Sequence, residues 1–149
     1  MTTLKRLTTE PNIALISVVA AVAISVLAVG FTAELSYTCQ VANVYALGDN
    51  GELSQSPWKE KWEGSQFSVS RSSGEIIGEL VTTEFAESTS VINAGSGANS
   101  FKALALFPPI GGSSAQAQII EVQEFKEGQG KPFVVMSMGG AGIVTGQCR

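Results

Sequence analysis

Residues 66–82 read QFSVSRSSGEIIGELVT, and the fold turns on how that stretch is parsed. Phe67 and Val69 alternate with Ser68 and Ser70, a period of two that puts the apolar pair on one face of a strand and the serines on the other. Ser72-Ser73-Gly74 then interrupts the run with a residue that takes positive φ at no steric cost, and a second apolar run begins at Ile76 and Ile77. Strand, tight turn, strand is a hairpin.

Outward from this hairpin the same grammar covers the chain from residue 37 to its end. Strands are predicted over 37–47, 66–71, 75–82, 88–93, 100–107, 118–125, 132–138 and 142–146. Between them lie Gly48-Asp49-Asn50-Gly51, Ser72-Ser73-Gly74, Gly95-Ser96-Gly97, Gly111-Gly112, Gly128-Gln129-Gly130 and Gly139-Gly140. About eight closely spaced strands predict a mainly β domain, a small antiparallel, meander-like β-barrel or β-sandwich. Cys39 and Cys148 are the two cysteines of the chain, one near its first strand and one near its last. In an oxidising compartment such a pair most simply makes one disulfide, and no CxxC and no third metal ligand stands beside it. A bond from first strand to last favours a closed or nearly closed barrel.

Several strands are apolar on both faces. Ile119 with Ile120, Val134 with Val135 and Met136, and Phe101 and Phe107 opposite Leu104 and Leu106 all break the simple alternation. Their outer face is expected to be covered by a loop, a helix or another protein. Residues 56–64, SPWKEKWEG, form the one short helix expected in this domain, with Ser56 as N-cap, Pro57 as first helical residue and Gly64 as terminator. That helix puts Trp58 and Trp62 on one face at i, i+4. They serve either as a lid over an open end of the barrel or as an aromatic anchor for the membrane interface or a neighbouring subunit.

Ahead of the β domain, residues 13–31 read IALISVVAAVAISVLAVGF, nineteen residues without a charge. As a helix they extend roughly 28 Å, the thickness of a bilayer core. A secretory signal peptide is the rival reading, with Lys5 and Arg6 as its basic head and Ala28-Val29-Gly30 as cleavable small residues, but the apolar run exceeds the usual length for one. The chain is therefore expected to divide into a cytoplasmic N-terminal head (1–12), a single transmembrane helix (13–33) and an extracytoplasmic, periplasmic β domain (34–149). Orientation follows from Lys5 and Arg6, since no Lys or Arg comes after them until Lys59. Ser17, Ala21 and Ser25 recur every fourth residue as a small-residue stripe, the pattern that lets a second transmembrane helix pack closely.

The chemistry that is missing narrows the function. There is no histidine and Asp49 is the single aspartate, which removes Ser-His-Asp and Cys-His nucleophile systems and His-ligated metals. Residues 34–149 hold 7 Lys and Arg against 12 Asp and Glu, net −5, a charge that nucleic acid repels. Asp49, Asn50 and Glu52 lack the ligand series of a calcium loop, and Gly139-Gly140-Ala141-Gly142 lacks the lysine and helix of a phosphate cradle, so both are expected to be turns. Glu121, Glu124 and Glu127 lack the apolar pocket that paired catalytic carboxylates need, and Glu121 with Lys102 or Arg71 suits a cross-strand ion pair. No catalytic, cofactor-binding or metal-ligating residue is assigned, and the protein is expected not to be an enzyme.

In outline, a basic head, an apolar helix, a β domain and a C-terminal disulfide are similar to type IV pilins. Here, however, Gly30-Phe31 ends the apolar run, whereas the Gly-Phe cleavage site of that family precedes it. A disulfide-closed eight-strand barrel is similar to a lipocalin, without the Gly-x-Trp which that family carries near its first strand. No functional residue is carried over from either. The expected function is that of a non-catalytic accessory, assembly or structural subunit of a larger membrane protein complex, its helix and β domain contacting membrane-protein partners and the lipid bilayer. The rival is a membrane-anchored barrel holding a small apolar ligand between Phe67, Val69, Phe101 and Phe133. Bulky side chains filling the lumen make it a core; a large void makes it a ligand site.

Overall fold

The computed structural model of the protein describes residues 35–109, 111–112, 114–138 and 142–149. The expected head (1–12), the expected span (13–33) with Ser17, Ala21 and Ser25, and the turn at Gly139-Gly140 lie outside the described residues. Among the described residues no helix is long and apolar enough to cross a membrane.

The β domain is a single antiparallel sheet. Its elements are β1 (Ser36–Leu47), β2 (Leu53–Gln55), α1 (Lys59–Trp62), β3 (Gln66–Ser70), β4 (Ile76–Gly78), β5 (Ser88–Ser96), β6 (Asn99–Phe107), β7 (Gln116–Val122), β8 (Lys131–Met138) and β9 (Gly142–Cys148). The strand order is β4-β3-β1-β9-β8-β7-β6-β5, with β2 paired to the far end of β1. From β5 to β9 the chain is a meander, as expected. It then departs from one, because β1 joins β9 on one edge and both β2 and β3 on the other.

The sheet curls strongly. Tyr37 on β1 and Phe101 on β6 are four strands apart, a separation of about 19 Å in a flat sheet, yet their ring centroids lie 5.2 Å apart. Phe67 on β3 meets Phe133 on β8 edge to face at 5.1 Å. Gly74, in the β3–β4 turn at φ +77°, comes so close to β6 that a Cβ there would lie 2.8 Å from the Cβ of Ala103. The enclosed face is the core: Val69, Phe101, Val122, Ile120, Val135 and the disulfide are almost wholly inaccessible, with Phe67 and Phe133 close behind. Burying each such large side chain contributes about 1.5–3 kcal/mol.

Closure of the barrel by the disulfide is corrected. Cys39 and Cys148 are bonded, and they join β1 to β9 as direct register partners. Thr38 and Arg149 beside them exchange both backbone hydrogen bonds, at 2.9 and 2.8 Å, so the cysteines occupy the adjacent, closely spaced pair of the ladder. The expected first-to-last pairing is there. It lies in mid-sheet, however, because β3 and β4 extend the sheet past β1, and the two ends of the strand order are β4 and β5. The result is a half-barrel.

The predicted strand 75–82 is only three residues long for a local reason. At Gly78 the chain lies so close to β3 that a Cβ would sit 2.5 Å from that of Phe67. Beyond it the chain folds back. Ile76 N donates to Thr83 Oγ1 at 2.8 Å and Thr83 N donates to Ile76 O at 2.9 Å, so the loop takes the edge where another strand would pair. The segment expected to be a helix over 56–64 is also shorter. Ser56 Oγ accepts from Trp58 N at 3.2 Å and Ser56 O from Lys59 N at 3.0 Å, making a turn ahead of α1, with Trp58 in the N-cap position. Gly64, at φ +82°, lies just beyond the helix as expected. Gly48-Asp49-Asn50-Gly51 is the β1–β2 hairpin turn, where Asn50 Oδ1 accepts from Glu52 N at 3.1 Å.

A polar clasp ties β1, the end of β3 and the β7–β8 connection together. The Tyr37 hydroxyl donates to Glu124, Arg71 Nη2 lies 2.6 Å from Glu124 Oε1, and the Arg71 guanidinium stands 4.9 Å from the Tyr37 ring centroid. Glu124 is well shielded and Arg71 partly so, which makes this pair worth more than a surface ion pair. Glu124→Ala is expected to lower unfolding stability by about 2 kcal/mol, with Glu124→Gln recovering part of it. Chemical denaturation checks this, and an Ala variant within ~0.5 kcal/mol of the parent means the clasp contributes nothing.

Candidate interaction surface

The alternation of each strand, propagated through the register, places the residues that broke the sequence pattern. Leu104 pairs with Ile119, Ile119 with Met136, Met136 with Ile143, and Ile143 with Tyr45. These five residues form one unbroken row across β6, β7, β8, β9 and β1, on the face opposite Ile120, Val135 and Val144. Two residues along, Leu106, Ala117 and Met138 begin a second row. None of the eight is buried: Met136 is 41% exposed, Met138 66% and Leu106 45%, while the other five are intermediate. In the strand pairs on the other side of the first row, Lys102 and Glu121 face each other with Nζ and Oε2 3.5 Å apart, and Ser100 Oγ donates to Glu121 at 2.6 Å.

The outer face thus grades from a polar rim to an apolar band. Of the two ion-pair partners expected for Glu121, Lys102 is the one it meets; Arg71 goes to Glu124 instead.

The tryptophans separate. Trp62 is partly buried and packs against the core cluster, with Lys61 Nζ 4.3 Å from its ring centroid. Trp58, at the N-cap, is 63% exposed. Trp62 therefore acts in packing, and Trp58 alone presents an indole to the surroundings. Phe67, Val69, Phe101 and Phe133 are all buried in one core cluster with the disulfide, Phe67 against Phe133 and Phe101 against Tyr37.

Among the described residues the surface carries open clefts, of which two are the larger. One of about 580 Å³ lies between β4 and the start of β5, lined by Glu75, Ile77, Thr83, Glu84 and Glu87 among others. The other, about 400 Å³, lies where β1 bulges between Val41 and Asn43, and is lined by Asn43, Gln123, Phe133 and Gln147. Among the described residues no group of three or more His, Cys, Asp or Glu side chains gathers as metal ligands do.

The participation of Tyr45 and Ile143 in the row escaped sequence reading. Tyr45 follows Val44 and Ile143 precedes Val144, so the sequence does not say which of each pair faces outward, and only the register aligns Tyr45 and Ile143 with Met136. No protein-family model matches the chain, and no curated protein or solved structure is significantly similar to it.

Proposed function

We propose that the protein is a non-catalytic, single-pass membrane protein whose β domain acts as an accessory or assembly subunit of a larger membrane complex, anchored by residues 13–33 in the inner membrane with the N-terminus cytoplasmic and the domain periplasmic. The observation that carries this reading is the five-strand apolar row on the outer face, whose exposed Met136 has the character of a contact surface. The charge-free run 13–31 supports the anchor. The side chains packed inside the curled sheet favour this reading over an apolar ligand held there.

Extraction in several mild detergents, followed by native electrophoresis and intact-mass measurement, tests it. The chain is expected to travel at a mass above that of its monomer and to retain residues 1–33. Migration as a monomer in every detergent overturns the subunit reading. A mature chain beginning at Phe31 or later overturns the anchor.

A further inference from the structure

We infer that Asn50 is a chemical modification site: its side-chain amide is displaced by the backbone nitrogen of Gly51 through a cyclic imide, and the product releases β2 from β1. The inference stands apart from the membrane reading above. Of the five asparagines of the chain, Asn50 is the one followed by glycine. Asn43, Asn93 and Asn99 precede Val44, Ala94 and Ser100 and lie within β1, β5 and β6, where the ladder holds the backbone extended.

The chemistry needs only these two residues and water. The Gly51 nitrogen loses its proton to solvent and attacks Asn50 Cγ. A C–N bond forms, and the Cγ–Nδ2 bond breaks with departure of ammonia, which takes up a proton in turn. Water then opens the imide ring at either carbonyl. One opening gives aspartate; the other gives isoaspartate, whose backbone runs through Cβ and is longer by one atom.

The β1–β2 turn leaves the pair within reach of this reaction. Asn50 and Gly51 are both exposed, and open space surrounds the side-chain position of Gly51. In the closed turn Gly51 N donates to Gly48 O at 2.9 Å, while Asn50 Nδ2 donates to Glu52 Oε2 at 2.8 Å and Asn50 Oδ1 accepts from Glu52 N at 3.1 Å. Both reactants are thus held in other bonds, and the turn must open first. That opening costs little, because β2 is three residues long, pairs with β1 alone and is exposed throughout.

The same bonds set the consequence. Both products replace the amide donor of Asn50 by a carboxylate, set near Glu52 and beside Asp49. The longer isoaspartyl backbone also breaks the turn, because the bonds from Gly51 N to Gly48 O and from Gly48 N to Glu52 O both close over residue 50. Leu53, Ser54 and Gln55 then lose the turn that sets their register with Leu47, Ala46 and Tyr45, and the end of β1 becomes an open edge.

The full-length chain in mild detergent, incubated for days in mildly alkaline buffer at body temperature, is read by peptide mapping with fragmentation that separates aspartate from isoaspartate. Conversion at Asn50 is expected to be about tenfold or more faster than at Asn43, Asn93 or Asn99, and about tenfold slower than in a free peptide of residues 45–55. Hydrogen exchange over 53–55 is expected to be about tenfold faster in the converted chain than in the parent, and unchanged over β3. Asn50→Asp, which changes the charge without lengthening the backbone, is expected to show a smaller increase.

An Asn50 that stays intact in the folded chain after the free peptide has converted overturns the inference, as does equal conversion at Asn43, Asn93 or Asn99. A converted chain whose exchange over 53–55 matches the parent's overturns the release of β2.

Discussion

Removing the disulfide, as Cys39→Ala with Cys148→Ala, is expected to lower the thermal midpoint of the protein by roughly 20 °C. The bond spans 109 residues of sequence, and closing a loop of that length removes unfolded-chain entropy equivalent to about 4–5 kcal/mol. For a domain of this size each kcal/mol moves the midpoint by about 4 °C. The location of the bond raises the effect further. Both cysteines are fully buried, and they clamp β1 to β9, the pairing that joins the β1–β4 part of the sheet to the β5–β9 meander. Without it the two parts are held by the β1–β9 ladder and by side-chain packing alone. Calorimetry of parent and double variant decides the matter, and a shift below ~5 °C means that the bond is incidental to stability.

Gly146→Val is expected to prevent folding, and Gly146→Ala to destabilise by about 3 kcal/mol or more. Gly146 lies on β9 opposite Val41, beside the bulge of β1 and across from Phe133. A Cβ there would lie 2.0 Å from the Gln40 carbonyl oxygen, 2.8 Å from Phe133 Cε1 and 3.0 Å from the Ala42 nitrogen. Two of those atoms are backbone in the central ladder, so no flexible side chain can swing aside. The Phe133 ring fills the space over the missing side chain and packs on Phe67. A domain with only 5–15 kcal/mol of total stability has little left after that loss. Gly97, where an added Cβ meets nothing within 4 Å and φ is not positive, is the control: Gly97→Ala should leave the midpoint unchanged. A Gly146→Ala chain as stable as the Gly97→Ala chain would show that β1 shifts freely at its bulge.

The strands were legible wherever local signals agreed. At 66–70 the period of two and the Ser-Ser-Gly turn pointed one way, and β3 follows with Phe67 and Val69 inside. The three-residue β2 was missed because Leu53 is its one apolar residue and all three are exposed, so no periodicity marks it. The strand predicted at 75–82 was cut short at Gly78 by a contact with Phe67 and by Thr83 folding back, and neither depends on the residues of that segment alone. Trp58 and Trp62 were alike in sequence and diverged because the helix is shorter than expected, which leaves Trp58 in the turn ahead of α1 while Trp62, in its last turn, packs against the core.

What the sequence by itself determined was the type of most elements, because apolar periodicity and turn glycines act through neighbours along the chain, and the pairing of Cys39 with Cys148, because two cysteines allow one intramolecular bond whatever their separation. Beyond the β3–β4 hairpin and the β5–β9 meander, which strands lie side by side was decided only by the tertiary structure. Register is a property of two strands at once, and it is register that aligned Leu104, Ile119, Met136, Ile143 and Tyr45 from five separate stretches into one row. The same holds for the open side of the half-barrel. Its strand order ends at β4 and β5 rather than at the disulfide because β3 and β4 add to the edge of β1 that β9 leaves free, a choice made by hydrogen bonding and curl across the whole sheet.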